Sequence, residues 1–273
     1  MKIEFEKWPI AIVLLALVLS LLMVLGWSWI HTNSEEVRNI GFIFFALVGG
    51  LLAIWRTSIA TKNTNINDRN SFTEIFTKAV EQLGAGTPTC PVIEIRLGGL
   101  YALEKLSKDN EEYFRPIIDI LASYVRQNAP NKGIFNDNDK TRIDVQTALT
   151  IIGRRKLREE FAVLVDLSEV YLPYVDLKNG NFNFASFFNS RMKGANLRGG
   201  LFMGANFNLC YMANSEFDSA ALDGADIYHA YLIGSKKLTC EQLRTTLGFQ
   251  SSLRGPELSC GFEIPSKIDV SKG

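Results

Sequence analysis

Large apolar residues recur at every fifth position from Asp166 to Ser235: Leu167, Leu172, Leu177, Phe182, Phe187, Met192, Leu197, Phe202, Phe207, Met212, Phe217, Leu222, Ile227 and Leu232. Two positions before each lies a second series, Val165, Val170, Val175, Gly180, Ala185, Ser190, Ala195, Gly200, Ala205, Cys210, Ser215, Ala220, Ala225 and Ala230. After three valines this series narrows to small residues. Neither the helical period nor the two-residue period of a strand produces such a pattern. An inward residue every five positions requires a corner every five, and four corners close a coil of twenty. The fourteen units then make three and a half coils, stacked roughly 4.8 Å apart into a prism about 15–17 Å tall. A coil cannot bury its apolar face alone, so stability comes from the coils above and below.

The units Gly194-Ala195-Asn196-Leu197-Arg198, Gly204-Ala205-Asn206-Phe207-Asn208 and Gly224-Ala225-Asp226-Ile227-Tyr228 resemble the repeat of pentapeptide repeat proteins. The resemblance implies a right-handed quadrilateral β-helix. It places the fourteen-residue series at the large inward position, and Ala185, Ala195, Ala205, Cys210, Ala220, Ala225 and Ala230 at the small one. The first three units depart from the pattern, with valine at the small position and Pro173 nearby, and are expected to form an irregular first coil.

Trp8 to Ile30 is a run of 23 residues without a charge, and Ile40 to Trp55 adds sixteen more. At about 1.5 Å per residue the first run crosses a bilayer core, and the second does so if it continues to about residue 58. Trp8, Trp27, Trp29 and Trp55 lie near the ends, as interfacial aromatics do. Residues 1–60 therefore read as a two-helix transmembrane hairpin with spans of about 8–30 and 40–58. Lys2, Lys7, Arg56 and Lys62 flank the spans, while the loop His31–Asn39 carries Glu35 and Glu36 against Arg38. The positive-inside rule then puts both termini and the soluble parts in the cytoplasm, at the inner face of the membrane. Ala46, Gly49, Gly50 and Ala53 form a smooth strip for packing the first helix or a second copy. No acid or base lies within Trp8–Ile30 or Ile40–Trp55, and Arg56 snorkels or sits near the interface, so the hairpin reads as an anchor in the lipid bilayer and not a transporter.

Residues 61–162 read as an all-α domain. Thr61–Asn70 is polar and reads as a linker or a helix extension, and Ser71-Phe-Thr-Glu74 has the form of a capping box opening a helix. Further helices are expected over Ile93–Leu106, about Glu111–Arg126 and about Ile143–Phe161. Ile95-Arg-Leu-Gly-Gly-Leu-Tyr-Ala-Leu-Glu-Lys-Leu106 and Val145-Gln-Thr-Ala-Leu-Thr-Ile-Ile-Gly-Arg-Arg155 are similar to the second helix of HEAT-type repeats, and a plain four-helix domain fits equally. Hairpin, helical region and repeats together resemble a group of bacterial membrane-anchored pentapeptide repeat proteins. Arg154, Arg155, Lys156 and Arg158 make a basic cluster that could touch anionic lipid; the alternative is a solvated face beside Glu159 and Glu160. The repeats fill residues 163–236. Thr239-Cys-Glu-Gln242 is a second capping box, opening a short helix through Leu247 that covers the exposed edge of the last coil. Residues 237–273 are this capping helix and a lightly packed tail.

The chain has 29 basic and 29 acidic residues, and a neutral chain has no global field for nucleic acid. The repeats carry seven acids against four bases, too few acids to imitate DNA. Cys90, Cys210, Cys240 and Cys260 show neither metal-ligand spacing nor a disulfide framework, which agrees with a reducing location; Cys210 reads as a core thiol. His31 and His229 read as surface residues. No phosphate loop, catalytic set or metal site stands out, so neither enzyme nor cofactor is expected. The leading reading is a non-catalytic membrane-tethered scaffold for an unknown protein partner, with Arg191, Lys193 and Arg198 as a possible interaction surface. The alternatives are a regulatory protein coupling a membrane signal to the repeats and a defence- or toxin-related effector.

Overall fold

The structure, a computed structural model, describes residues 16–22, 24, 34–87, 90–109, 111–132, 136, 139–155, 164–255, 258 and 260–261. The chain divides into two compact units, Met1–Asn70 and Ser71–Gly273.

In the first unit residues 16–22 are helical, and α1 (Ser34–Leu83) begins there and runs past the unit boundary. Among the described residues one stretch, Phe42–Ala60, is long and apolar enough to cross a membrane, with a mean hydropathy of 1.9. Its side chains include the exposed Phe42, Ile43, Phe45, Leu47 and Ile54. This corrects the two-helix hairpin to one candidate span; most of the 8–30 stretch lies outside the described residues. The expected loop is corrected too, and of the two readings of Thr61–Asn70 the helix extension holds. α1 starts inside His31–Asn39 and continues through Thr61–Asn70 and past Ser71. Asn and Asp disfavour a helix by only tenths of a kcal/mol each, and extending a formed helix is far easier than nucleating a new one.

In the second unit the end of α1 packs with α2 (Ile93–Asp109), α3 (Phe114–Asn128) and α4 (Ile143–Gly153). Leu100, Leu103, Ile117, Leu121, Val145 and Leu149 are fully buried at 0% exposure and form the centre of this helical layer. Gly99 of α2 lets the two helices approach, since a Cβ there would stand 2.6 Å from the Ala79 carbonyl oxygen. Pro116 falls in the first turn of α3, where its missing N–H is harmless. The fourth helix stops at Gly153 and not near Phe161. Its end meets the coil: Asn181 donates to the Gly153 carbonyl at 2.7 Å, and a Cβ on Gly153 would stand 3.1 Å from the Phe182 ring.

From Asp166 to Lys236 single parallel bridges join residues twenty apart, such as Asp166 to Ser186, Ser186 to Asn206 and Asn206 to Asp226. The quadrilateral β-helix is therefore corrected. Among the described residues there is no β-strand; the coil is built of turns, and each side contributes one bridge residue. A five-residue side is too short for more, because a left-handed residue turns the chain two positions past each large residue. Phe184, Leu209 and Asn214, with φ near +58°, are examples.

This arrangement pairs most backbone N–H groups of the coil with carbonyls of the same or neighbouring coils. Around Phe182, the Phe182 and Phe184 N–H groups donate to the coil above, at Leu201 and Met203, and Ala185 donates back to the Phe182 carbonyl. The bridge residue Leu201 donates down to Gly180. The remaining N–H, that of Asn183, is taken by the side chain of Asn181 at 3.2 Å. The same local turn recurs from Asp166 to Ser168, Asp176 to Lys178, Asn196 to Arg198, Asn206 to Asn208 and Asp226 to Tyr228. Asn and Asp thus recur beside the large residue because each satisfies a backbone donor locally.

Inside, Phe182 stacks on Phe202 at 5.7 Å and Phe187 on Phe207 at 5.2 Å, with tilted contacts between the two columns. Ser190 is fully buried; its hydroxyl takes the Val170 N–H and donates to the Leu167 carbonyl. Gly194 and Gly204 lie above Tyr174 and Phe184, whose rings would stand 2.5 and 2.7 Å from an added Cβ. Phe202→Ala should destabilise the second unit by about 3–5 kcal/mol. Ser190→Ala should cost about 1–3 kcal/mol, because the Val170 N–H loses its partner. Urea unfolding of the detergent-solubilised chain, followed by far-ultraviolet circular dichroism, measures both.

Candidate interaction surface

The fourteen large residues are all buried, Leu222 the most exposed at 3%, so none meets solvent. Val165, Val170, Val175, Ala185, Ser190, Ala195, Ala205, Cys210, Ser215, Ala220, Ala225 and Ala230 are buried as well. Burial pushes the Cys210 thiol far above its ordinary value, leaving it an inert core group.

The two ends of the coil are occupied. At the first end Tyr171 N–H donates to the Ala129 carbonyl, Asn131 N–H to Glu169, and Thr141 N–H to Pro173. Gln146 holds Asp176 twice, donating to its carbonyl at 2.7 Å and accepting from its N–H at 2.9 Å. Arg155 donates to the carbonyls of Asn181 and Asn183, and Arg126 pairs with Asp166. Burial pushes the Arg155 pKa down to about 10. The basic cluster is thus divided: Arg154 pairs with Glu104 at 3.2 Å, Arg155 seals the coil, and Lys156 and Arg158 lie outside the described residues. A cavity of about 130 Å³ is lined by Glu104, Lys108, Arg154 and Arg155 over Phe114 and Ile118.

At the far end α5 (Cys240–Arg244) is opened by the Thr239–Gln242 capping box. Gln242 also donates to the Phe217 and Ala220 carbonyls. Beyond it Leu247 and Leu253 bridge to Asp226 and Tyr231. Cys240 and Cys260 form a disulfide. This corrects the reading of unpaired cysteines and removes its support for a reducing location. The twenty-residue separation matches no short motif, and only the fold brings the two together. The segment through Leu253 is likewise no loose tail, and His229 is half-buried.

The sides of the coil remain as surface. Arg191 and Lys193 share one side. Arg191 belongs to a column of residues twenty apart, Tyr171, Arg191, Tyr211 and Tyr231. Its guanidinium lies 5.2 Å from the Tyr211 ring centroid, and Tyr211 stacks on Tyr231 at 4.7 Å. Arg198 lies on the next side, 3.8 Å from Glu216 and 3.7 Å from Asp218. The three basic residues are therefore not one patch. Sequence reasoning missed the aromatic column, although a step of twenty along the chain reveals it. Tyr174, Phe184, Met203, Leu209 and Tyr228 add exposed apolar surface.

The helical layer holds a buried polar node that was also missed. Asp144, at 0% exposure, accepts from Tyr124 at 2.6 Å, from Arg142 at 2.7 Å and from Arg96 at 3.4 Å. Arg96 and Arg142 also reach Asn128. Burial alone would raise the Asp144 pKa, but the hydrogen bonds from Arg142 and Tyr124 outweigh it and hold the carboxyl below its ordinary value. Burial and the bond to Asp144 push the Tyr124 hydroxyl up to about 12. The node joins α2, α3 and the start of α4, which fixes its role as structural. Among the described residues no cluster of His, Cys, Asp and Glu could hold a metal.

Residues 166–202 match the family model of pentapeptide repeats, in eight copies. The match covers well under half of the chain, so the whole-chain likeness to membrane-anchored repeat proteins reduces to a repeat motif over this segment. A pentapeptide repeat protein from the Arabidopsis thaliana thylakoid lumen is 19% identical over 38% of this chain and 66% of that one, with a TM-score of 0.29. HetL, a pentapeptide repeat protein involved in heterocyst differentiation regulation from the cyanobacterium Nostoc, is 21% identical over 30% of this chain and 37% of that one, with a TM-score of 0.18. The chain spans less than two thirds of the length of either, and neither likeness carries an argument about function. No curated protein matches the chain.

Asp144→Asn should cost about 3–5 kcal/mol, because Arg96 and Arg142 keep their charge and lose its counter-ion. In the wild type the lowered pKa of Asp144 contributes stability that is complete above the ordinary carboxylate pKa of about 4 and is lost as pH falls through the folded value. Thermal unfolding between pH 7 and pH 2.5 should show this acid loss, and the Asn variant should lack its share of it.

Proposed function

We propose that the protein is a non-catalytic scaffold held at a bacterial membrane by the apolar stretch Phe42–Ala60, with the sides of its coil as the docking surface for a protein partner. One observation supports this reading above the rest. The inward residues of the coil are spent on its own packing and both of its ends are covered, so the sides are the part left to meet another molecule. The side carrying Tyr171, Arg191, Lys193, Tyr211 and Tyr231 has the composition that interfaces favour, aromatic with arginine. Arg198, held by two acids on the neighbouring side, is the weaker contributor. The exposed apolar side chains of Phe42–Ala60 supply the tether.

Affinity purification of the full chain from mild detergent should return a stable protein partner. Arg191→Glu with Lys193→Glu should reduce its recovery at least tenfold (about 1.4 kcal/mol), and Arg198→Glu should reduce it less. No partner for the wild type, or recovery with both variants equal to that of the wild type, contradicts this reading.

A further inference from the structure

The far end of the coil is covered by a segment that the structure holds in an unusual way. Residues 245–253 lie along the last coil as an extra layer: Gly224 N–H donates to Thr245, Ile227 to Leu247 and Leu232 to Leu253, while Leu247 and Leu253 donate back to Ala225 and Ala230. Two side chains at this layer are at odds with burial. Arg254 is 2% exposed, yet none of its three guanidinium nitrogens has a hydrogen-bond partner; its planar group lies 5.1 Å from the Phe249 ring centroid. The Nδ1 atom of His229 is likewise buried and unpartnered. A buried guanidinium without an anion disfavours the closed arrangement. The covering elements are short, a five-residue helix and a three-residue 3-10 turn. The Cys240–Cys260 bond closes this segment into a loop and opposes its release.

We propose that Cys240–Cys260 is a redox latch: its reduction frees the strap of residues 245–254 and uncovers, on the last coil, a pairing edge for an extended peptide segment. The strap itself shows what fits there, a chain that exchanges single parallel bridges with Asp226 and Tyr231. The reductant is a dithiol of the thioredoxin type. One of its thiolates attacks a sulfur of the bond and releases the other cysteine as a thiolate. Its second thiol then resolves the mixed disulfide. Two electrons and two protons pass to Cys240 and Cys260, and the dithiol leaves as a disulfide. This deepens the scaffold reading by making one docking edge conditional.

The test uses the full chain in detergent, oxidised or treated with dithiothreitol, with amide hydrogen exchange and peptide-resolved alkylation. Reduction should speed exchange at Gly224, Ile227 and Leu232 at least tenfold while the buried Cys210 stays unalkylated. Arg254→Met, which removes the unpaired charge, should restore much of the protection under reduction. A fluorescent peptide of residues 245–254 should bind the reduced protein and not the oxidised one. Unchanged exchange once Cys240 and Cys260 are alkylated overturns the proposal. So does Cys210 labelling at the same rate, which signals global unfolding, or equal or absent peptide binding in both states. None of these readouts depends on the partner purification.

Discussion

Every coil of the second unit depends on the register of twenty that links it to the next. Neighbouring coils exchange backbone hydrogen bonds at that interval, and the same interval sets Phe202 on Phe182 and Phe207 on Phe187. Packing and hydrogen bonding therefore point to a single alignment. A slip by one unit would keep large residues inside but would turn each side onto its neighbour. It would place Gly194 and Gly204 away from the Tyr174 and Phe184 rings that need them, and would separate Tyr211 from Tyr231. The outward residues thus reinforce a register that the inward ones leave degenerate.

Stacked coils leave unpaired backbone at both ends, and the chain satisfies the two differently. The first end is met by the helical layer through Ala129, Asn131, Thr141, Gln146, Gly153 and Arg155, with carbonyls and amides matched one by one. Gly153 ends α4 at a close approach to Phe182, whose ring a Cβ there would meet at 3.1 Å. The Asp144 node then ties that helix to its neighbours. The far end is met by a short helix, an extra layer and a disulfide, and it retains an unpaired guanidinium. One end is sealed by the helical layer, and the other by the segment that follows the last coil.

The coil was legible because its period is strict and its inward residues are chemically alike. What the period could not convey was the scale of pairing. A corner every five residues suggested the strand-built prism of the related repeats, whereas each side contributes one bridge residue and no strand. Helix boundaries were less legible. Asn63, Asn65 and Asn67 resemble a linker, but a helix already formed on the apolar side runs through them. The fourth helix ends at Gly153, short of what its apolar spacing suggested, and that end packs closely on Phe182. The disulfide, the contacts of Asp144 with Tyr124 and Arg96, and the Tyr171–Tyr231 column join residues at least twenty positions apart, beyond the short windows in which periodicity is read. Arg198 stood near Arg191 and Lys193 in sequence, but the corner between them assigns it to another side and to Glu216 and Asp218.

The register of twenty is tested most directly by cysteine cross-linking in a background with the four native cysteines replaced. Asp176→Cys with Asn196→Cys places two thiols on bridged residues of adjacent coils, while Ser186→Cys with Asn196→Cys places them ten apart, half a turn around the coil. Mild oxidation should cross-link the first pair readily and leave the second as free thiols. Equal cross-linking of both pairs, or of the second alone, would contradict the twenty-residue coil on which the rest of the account stands.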